Sequence, residues 1–116
     1  MSLFSPSGKM PELSVNEVEQ KLKEKEPFLF LDCREVSEHE VANIEGATLL
    51  PMQEISSRVA EIESWREKLV IVFCHHGRRS LKVADWLHKN GFSDVYSMKG
   101  GIDCWSTEID NAVPRY

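Results

Sequence analysis

The sequence predicts an α/β domain with a mainly parallel central sheet covered by helices on both faces. Strand and helix patterns alternate along the chain, which is typical of βαβ units. The two clearest strand segments, FLFLD and LVIVFC, are almost continuously apolar, as expected of strands buried on both faces of a parallel sheet. The chain has no internal repeat and no low-complexity segment, which agrees with this class.

The length of 116 residues predicts a single domain. Residues 1–13 mix Ser, Pro and Gly and are expected to form a flexible lead-in, so the domain itself is predicted to span 14–116. The content of 41% hydrophobic and 28% charged residues is that of an ordinary soluble globular protein rather than a disordered or fibrous one.

The first predicted helix begins at Ser14. SVNE is a capping box, in which Ser14 accepts a hydrogen bond from the amide of Glu17 and the Glu17 side chain reaches back. Pro27 ends this helix. The apolar segment from Phe28 to Asp32 then predicts a buried strand, REVSEHEVANI a short helix and a loop, and GATLLP a second short strand.

The middle of the chain predicts an amphipathic helix followed by the central strand. MQEISSRVAEIESWREK carries four apolar residues that lie roughly on one helical face. These residues are Ile55, Val59, Ile62 and Trp65. LVIVFC is the clearest central strand of the chain.

A further helix is predicted from Ser80 to Asn90, and Gly91 is expected to stop it as a C-terminal cap. Its inward-facing residues are predicted to be Leu81, Ala84 and Leu87. DVYSM then predicts another strand, KGG a turn and IDCWSTEI a final short helix.

The charge and the apolar runs exclude two classes of partner. A net charge of −5 argues against a general nucleic-acid binder, because phosphate contacts require clustered Lys and Arg. The longest apolar run, from Leu69 to Phe73, is far shorter than the roughly 20 residues of a membrane span. The start MSLFSPSGKMPEL also lacks the apolar core of a secretory signal. We therefore expect a cytoplasmic location, with neither nucleic acid nor membrane as partner.

The three cysteines are Cys33, Cys74 and Cys104, an odd number that favours free thiols in a reducing compartment over a disulfide scaffold. Cys33 and Cys104 are predicted to be inert, since a free cysteine usually behaves as a small hydrophobic residue. Cys74 differs because it ends the central strand, and ligands of parallel α/β sheets bind at the carboxyl ends of the strands.

The segment CHHGRR predicts an exposed, reactive cysteine in an anion-binding loop between this strand and the next helix. If the loop forms a cradle, backbone N–H groups and the positive end of the helix point inwards, and Gly77 permits the tight turn. These donors and the nearby cations would lower the pKa of Cys74, which makes it the candidate nucleophile. The candidate substrate-binding residues are His75, His76, Gly77, Arg78, Arg79 and Ser80.

Other interpretations of the loop stay open. His75 and His76 either line the pocket mouth or are solvated loop residues. They are not expected to bind a metal with Cys74, because adjacent residues cannot converge on one tetrahedral ion and no paired cluster lies elsewhere. Either Arg78 or Arg79 could be surface charge alone, although we expect at least one of them to contribute to the anion-binding loop. No metal and no other cofactor is predicted.

Several ordered motifs resemble those of one family. The loop fits C-x-x-G-x-R-S, LDCREVSEHEVANIEGATLLP resembles D-x-R-x-x-x-E followed by G-H-I-x-G-A, MKGGIDCW resembles G-G-x-x-x-W, and VPRY is similar to a common ending. The matching residues are Asp32, Arg34, Glu38, Ile44, Gly46, Ala47, Cys74, Gly77, Arg79, Ser80, Gly100, Gly101 and Trp105. The motifs extend from about Ser14 to the C-terminus. By these motifs the chain resembles the single-domain rhodaneses, and this resemblance implies a rhodanese-like fold.

The departures from the family pattern are confined to one loop. His39 stands where the family usually has an aromatic residue, and Ala42 and Asn43 stand where it often has Gly-His. They concern the packing of that loop and leave the cysteine motif intact.

The resemblance implies sulfur transfer without a cofactor. The Cys74 thiolate would attack the outer sulfur of thiosulfate, release sulfite, and pass the sulfur of its persulfide to cyanide or a thiol. The implied partners are a small anionic sulfur donor and a thiol or cyanide acceptor, with a protein sulfur acceptor as an alternative. Asp32, Arg34 and Glu38 are implied to support the loop, the first two as a structural ion pair.

Two other functions fit the same residues. Cysteine-dependent phosphatases use C-x5-R, whereas Arg79 is only five positions after Cys74, and the shorter loop favours a single sulfur over a tetrahedral phosphate. A persulfide carrier, or a non-enzymatic interaction module that delivers sulfur to a protein partner, has the same loop. The sequence does not distinguish it from a free-standing sulfurtransferase.

Overall fold

The structure, a computed structural model, describes residues 11–116. Most of the predicted lead-in, residues 1–13, therefore lies outside the described residues. Two residues at its end, Glu12–Leu13, form strand β1, which the sequence did not predict.

A parallel sheet of five strands forms the centre of the described chain. Its other strands are β2 (Leu29–Asp32), β3 (Thr48–Leu49), β4 (Leu69–Phe73) and β5 (Asp94–Met98). The spatial order is β1-β5-β4-β2-β3, and all four pairings are parallel. The predicted α/β class and the central place of β4 are confirmed.

Helices cover both faces of the sheet, as predicted. They are α1 (Val15–Glu24), α2 (Val36–Val41), α3 (Ile55–Arg58), α4 (Arg78–Lys89) and α5 (Gly101–Glu108). Helices α1 and α5 pack on one face, in a buried cluster with Phe30 and Ile71 of the sheet. Helices α3 and α4 pack on the other face against Leu31 and Val72. Within the described residues, no helix combines the length and the apolar character that a bilayer crossing requires.

The start of α1 is the predicted capping box. Ser14 Oγ accepts from the Glu17 amide at 3.1 Å, and the Ser14 amide donates to Glu17 Oε1 at 2.9 Å. The helix ends at Glu24, and Lys25 adopts a left-handed conformation two residues before Pro27. The proline thus follows the cap, where it cannot interrupt the helical hydrogen bonds.

The prediction of one amphipathic helix between β3 and β4 is wrong. The segment consists of 3-10 helical turns at Met52–Glu54 and at Val59–Trp65, the latter kinked at Ile62, on either side of the short helix α3. The reason lies in the apolar spacing, because Val59, Ile62 and Trp65 are three residues apart. A 3-10 helix has about three residues per turn, so this spacing suits it as well as it suits an α-helix.

Helix α4 begins at Arg78, two residues before the predicted Ser80. Leu81, predicted to face inwards, is only half-buried. The buried residues of this helix are Ser80, Val83, Ala84 and Leu87. Their three- and four-residue spacing defines the face toward the sheet and leaves Leu81 on its flank.

Candidate active site

The candidate site lies at the carboxyl end of β4, where Cys74 begins the loop that leads into α4. The Cys74 sulfur accepts hydrogen bonds from the amides of Gly77 at 3.1 Å and Ser80 at 3.3 Å. The Ser80 hydroxyl oxygen lies 3.4 Å from the same sulfur. The loop therefore forms the predicted cradle of backbone donors around one sulfur atom.

The loop amides point inwards because helix α5 binds the loop carbonyls from outside. The amide of Ile102 donates to the Cys74 carbonyl at 2.9 Å, and the amide of Asp103 donates to the His75 carbonyl at 3.1 Å. A side chain at Gly101 would overlap both carbonyls, so only glycine permits this approach. The start of α5 thus fixes the shape of the cradle.

Gly77 makes the turn into α4. Its φ of +97° is in the left-handed region, and a Cβ there would lie 3.1 Å from the Gly100 amide. A larger residue would therefore be strained in its backbone and would displace the adjacent turn. The predicted role of Gly77 in the tight turn agrees with this geometry.

The expectation that Cys74 is exposed is wrong, because only 1% of the residue is accessible. The loop and the start of α5 close around the sulfur, so a reactant must approach through the loop mouth. Burial alone would raise the pKa of a thiol and suppress its reactivity. The hydrogen bonds around the sulfur decide its charge instead.

The pKa of Cys74 is lowered to about 4. The largest cause is a hydrogen bond with the Cys33 side chain, followed by the hydroxyl and amide of Ser80 and the amide of Gly77, while burial acts in the opposite direction. At neutral pH the sulfur is therefore a thiolate. The largest contributions that favour the thiolate come from thiol, hydroxyl and backbone donors, and Arg79 also interacts electrostatically with Cys74.

The Ser80 hydroxyl is itself held by a second buried serine. The oxygens of Ser80 and Ser97 are 2.7 Å apart, and both residues are completely buried. When Ser97 donates to Ser80, the only hydroxyl proton of Ser80 is left for the Cys74 thiolate. Ser97, which lies on β5, was not identified from the sequence.

The other two cysteines have contrasting surroundings. Cys33 is 1% exposed, and its pKa is strongly raised by its hydrogen bond with Cys74 and by burial. Cys104 is half-buried and donates to Glu108 Oε2 at 2.6 Å. Burial and this carboxylate raise the pKa of Cys104 to about 11. Both stay protonated at neutral pH, but only Cys33 touches the nucleophile.

Asp32 and Arg34 form a completely buried ion pair at the end of β2. Arg34 Nε and Nη2 donate to the two carboxylate oxygens of Asp32 at 2.9 and 2.8 Å. The other Arg34 donors bind the carbonyls of Ala42 and Glu38 and the Tyr116 hydroxyl. All five guanidinium protons are therefore engaged, so Arg34 has none to offer a substrate.

Arg79 binds Glu38 of α2. Its two terminal nitrogens donate to the two carboxylate oxygens at 2.7 and 2.8 Å. Arg79 is the largest cause that lowers the pKa of Glu38 to about 2. The Tyr116 hydroxyl donates to the same carboxylate at 2.8 Å and accepts from Arg34 at 2.9 Å. By contrast, Arg78 is exposed and forms no ion pair within the described part of the chain.

The two histidines lie at the loop mouth in a stack with the C-terminal residue. The His75 ring stacks on Tyr116 at 3.8 Å and on the exposed His76 at 3.8 Å. Burial, followed by the proximity of His76, lowers the pKa of His75. Neutral His75 is thus favoured, and the neighbouring His76 and Arg78 are exposed.

Asp103 joins the two histidines in a group that the sequence did not reveal. The ligand atoms of His75, His76 and Asp103 lie within 4.8 Å of one another. However, the two imidazole rings are stacked on each other, and Arg115 donates to the Asp103 carboxylate at 2.9 Å. This arrangement suits a stack and an ion pair better than a convergent metal site. The absence of a metal stays a prediction.

Sequence reasoning missed four residues of this site, namely Cys33, Ser97, Asp103 and Tyr116. One signal for Cys33 was available, since it directly follows the apolar segment FLFLD as Cys74 follows LVIVF. Both residues are therefore expected at the same edge of a parallel sheet. No comparable signal in the sequence places Ser97 or Tyr116 beside the loop.

Comparison with protein families agrees with the fold and the loop. The model of the Rhodanese-like domain family matches residues 14–108. A search of solved structures finds a rhodanese-like domain protein from Staphylococcus aureus, with a TM-score of 0.76 and 28% identity over 92% of this chain and 99% of that one. A thiosulfate sulfurtransferase from Pseudomonas aeruginosa has a TM-score of 0.76 and 28% identity, covering 84% of this chain and 19% of that protein.

Curated relatives have about 30% identity. The thiosulfate sulfurtransferase GlpE of Pseudoalteromonas translucida is 32% identical over 82% of this chain and 89% of its own length. The putative sulfur carrier protein YrkF of Bacillus subtilis is 33% identical over 90% of this chain and 55% of its own length. The chloroplastic rhodanese-like/PpiC domain-containing protein 12 of Arabidopsis thaliana is 30% identical, and this chain covers 40% of it. The chain thus spans less than two thirds of the last two relatives.

Proposed function

The chain belongs to the rhodanese-like domain family, and on this premise we propose that it is a sulfurtransferase in which Cys74 carries sulfur as a persulfide. The observation that carries the proposal is the pair of amide hydrogen bonds, from Gly77 and Ser80, to the Cys74 sulfur. They favour a thiolate as the resting nucleophile and a negative charge on sulfur after the reaction. The functional unit is proposed to be residues 14–116, in a cytoplasmic, reducing setting that suits three free cysteines.

The first half-reaction uses thiosulfate as donor. The Cys74 thiolate attacks the outer sulfur, the sulfur–sulfur bond of thiosulfate breaks, and sulfite leaves with the bonding electron pair. The product is a Cys74 persulfide with its charge on the outer sulfur. Arg78 and His76 are exposed at the loop mouth and supply cationic or donor groups for the dianion.

The second half-reaction returns the enzyme to its resting state. Cyanide, or a thiol in its thiolate form, attacks the outer sulfur and the persulfide bond breaks. Thiocyanate or a new persulfide is formed, and the Cys74 thiolate is regenerated with its cradle of donors. Because the donor leaves before the acceptor reacts, ping-pong kinetics are expected.

The geometry argues against a cysteine-dependent phosphatase. The loop from Cys74 to Arg79 has six residues, and its described amide donors meet on one sulfur. An arginine that clamps a phosphoryl group directs paired donors at the phosphate, whereas the two terminal nitrogens of Arg79 each direct a donor at Glu38. This loop therefore suits a sulfane sulfur better than it suits a phosphoryl group.

A persulfide carrier that delivers sulfur to a protein is the second candidate, and the relative named as a putative sulfur carrier supports it. Thiosulfate treatment followed by intact-mass measurement tests both functions. We expect one added sulfur on Cys74 and an equal amount of sulfite. Subsequent turnover with cyanide supports the enzyme, whereas a stable persulfide that cyanide does not remove supports the carrier. If no sulfur is added and no sulfite forms, thiosulfate sulfur transfer is excluded.

A further inference from the structure

Cys33 and Cys74 occupy equivalent positions at the ends of two adjacent parallel strands. Leu31 of β2 pairs with Val72 of β4, and each cysteine follows two residues later. The pairing continues to this point, because the Cys33 amide donates to the Phe73 carbonyl at 3.1 Å. Side chains two residues apart on a strand share a face, so the two thiols project to the same side of the sheet.

The two cysteines are close enough for direct sulfur chemistry. Neighbouring strands lie about 4.8 Å apart, and a disulfide requires a Cα separation of about 4.4–6.8 Å. Both residues are 1% exposed and belong to the same core cluster. The cradle amides come from the loop and α4, whereas Cys33 approaches the Cys74 sulfur from β2.

We propose that Cys33 is a resolving cysteine, which converts the Cys74 persulfide into a Cys33–Cys74 disulfide and releases hydrosulfide. The inference rests on the proposed function, because it requires the persulfide. It adds an activity: when no acceptor is present, the protein reduces sulfane sulfur with its own two thiols.

The step balances without an external oxidant. The Cys33 sulfur attacks the inner sulfur of the persulfide, a bond forms between the two cysteine sulfurs, and the bond from Cys74 to the outer sulfur breaks. The outer sulfur takes the bonding pair and the Cys33 proton and leaves as hydrosulfide. In this step the outer sulfur is reduced and Cys33 is oxidised, while Cys74 keeps the oxidation level that it reached when the sulfur was loaded. A small thiol or a dithiol protein then reduces the disulfide by thiol–disulfide exchange.

Cys33 is unreactive until Cys74 has been loaded with sulfur. In the resting protein Cys33 is a buried thiol beside the Cys74 thiolate, and both this neighbour and burial raise its pKa, so it is a poor nucleophile. Loading moves the negative charge of Cys74 to the outer sulfur, and the departing sulfur can accept the Cys33 proton. External acceptors and Cys33 therefore compete for the same persulfide, and the disulfide accumulates only when acceptors are scarce.

Loading with inorganic polysulfide tests this proposal, because polysulfide adds sulfur to a reactive thiolate without requiring thiosulfate recognition. The reduced full chain is loaded, separated from excess reagent and followed without acceptor by intact mass, hydrosulfide assay and non-reducing peptide mapping. Wild type is compared with Cys33→Ala and with Cys104→Ala, whose cysteine binds Glu108 rather than the cradle.

We expect wild type and Cys104→Ala to gain one sulfur, lose it again as hydrosulfide, and yield a cross-linked pair of peptides containing Cys33 and Cys74. Cys33→Ala should keep the sulfur and release no hydrosulfide. If wild type keeps its sulfur as long as Cys33→Ala, or if polysulfide adds no sulfur to Cys74, the proposal is overturned. Should Cys33→Ala fail to fold, the peptide map of wild type decides alone.

A parallel loading with thiosulfate separates this inference from the proposed function. Cross-linking after polysulfide, together with no sulfite from thiosulfate, supports the resolving role of Cys33 and rejects thiosulfate as donor. Sulfite release without any cross-link supports thiosulfate sulfur transfer and rejects the resolving role.

Discussion

The Glu38 carboxylate and the Arg79 guanidinium form two parallel hydrogen bonds, at 2.7 and 2.8 Å, that tie helix α2 to the first turn of α4. This pair occupies the arginine that a phosphatase would use as a clamp. It also leaves the neighbouring Arg78 as the exposed cation of the loop. The two adjacent arginines therefore have different roles, which substitution can separate.

We predict that Arg79→Ala lowers the free energy of unfolding by about 1–2 kcal/mol, because it leaves the partly buried Glu38 without its partner. Arg78→Ala should leave the unfolding free energy within about 0.5 kcal/mol of wild type, as is usual for an exposed side chain. It should instead raise the KM for thiosulfate, since the proposed function uses the exposed Arg78 to attract the dianion. Urea unfolding and steady-state kinetics on both variants measure these effects. Equal stability of both variants would contradict the assignment.

The same pair predicts an acid-sensitive contribution to stability. The pKa of Glu38 in the folded protein is about 2, below its ordinary value of 4.5. The folded state therefore favours the ionised carboxylate, and the stabilisation is complete above about pH 4.5 and lost as the pH falls toward 2. Glu38→Gln should lose less stability than wild type across this window. Glu40→Gln serves as control, since Glu40 is exposed on the same helix, and should retain the wild-type pH dependence.

The sequence predicted the sheet and most helices because their signals are local. The capping box at Ser14 and the continuous apolar strand at LVIVF depend on near neighbours, and both appear where expected. The prediction for the segment after β3 failed because apolar residues spaced three apart fit an α-helix and a 3-10 helix almost equally well. The packing against the sheet decides between them.

The site was predictable only in part, because its chemistry depends on contacts that are distant in sequence. The pattern around Cys74 identified the nucleophile candidate and the turn at Gly77. It did not show that Cys33 would lie against the sulfur, since the strand register fixes that contact. Nor did it show Tyr116, which reaches Glu38 across 78 positions of the chain.

The largest contribution to the low pKa of Cys74 is predicted to come from Cys33. In wild type, the rate of iodoacetamide labelling at Cys74 should rise with pH around a midpoint near 4. Cys33→Ala removes a donor to the thiolate and should raise this midpoint by about 1–2 pH units. Cys33→Ser keeps a hydroxyl donor and should lie between the two. The midpoint is measured by peptide mapping of timed reactions, and an unchanged midpoint in Cys33→Ala would show that Cys33 does not donate.

The same labelling distinguishes Cys74 from Cys104. Cys104 is more accessible than Cys74, but its pKa is raised to about 11, so only a small fraction of Cys104 is thiolate at neutral pH. We expect Cys74 to be labelled much faster at pH 7 despite its burial. Preferential labelling of Cys104 would mean that access through the loop mouth, rather than thiolate content, limits the reactivity of Cys74.

Ser97 is predicted to support the nucleophile through Ser80. In Ser97→Ala the Ser80 hydroxyl loses a partner at 2.7 Å and is free to turn its proton away from the Cys74 sulfur. The labelling midpoint of Cys74 should rise by less than in Cys33→Ala, and kcat should fall by a few fold. Ser106→Ala removes another buried hydroxyl, which binds the Val113 carbonyl far from this network, and controls for general effects of a buried serine. If both variants change the midpoint equally, the relay is rejected.

Reaction class is predicted from the size of the loop. The amides of Gly77 and Ser80 lie 3.1 and 3.3 Å from the Cys74 sulfur, so the six-residue cradle is already closed around one atom. A transferring phosphoryl group needs donors for three equatorial oxygens, and Arg79 is held by Glu38. We therefore expect thiosulfate:cyanide sulfur transfer in wild type and negligible hydrolysis of an aryl phosphate.

Two variants test this size argument directly. Cys74→Ser should abolish sulfur transfer, because a serine hydroxyl without an adjacent base is not activated and cannot form a persulfide. Inserting one glycine between Gly77 and Arg78 gives the loop the spacing of a phosphatase. This variant should prefer aryl phosphate more, and thiosulfate less, than wild type does. Thiocyanate and aryl-alcohol release are measured on the same preparations, with thermal melts to confirm folding. Efficient phosphate hydrolysis by wild type, or full sulfur transfer by Cys74→Ser, would show that loop size does not determine the reaction.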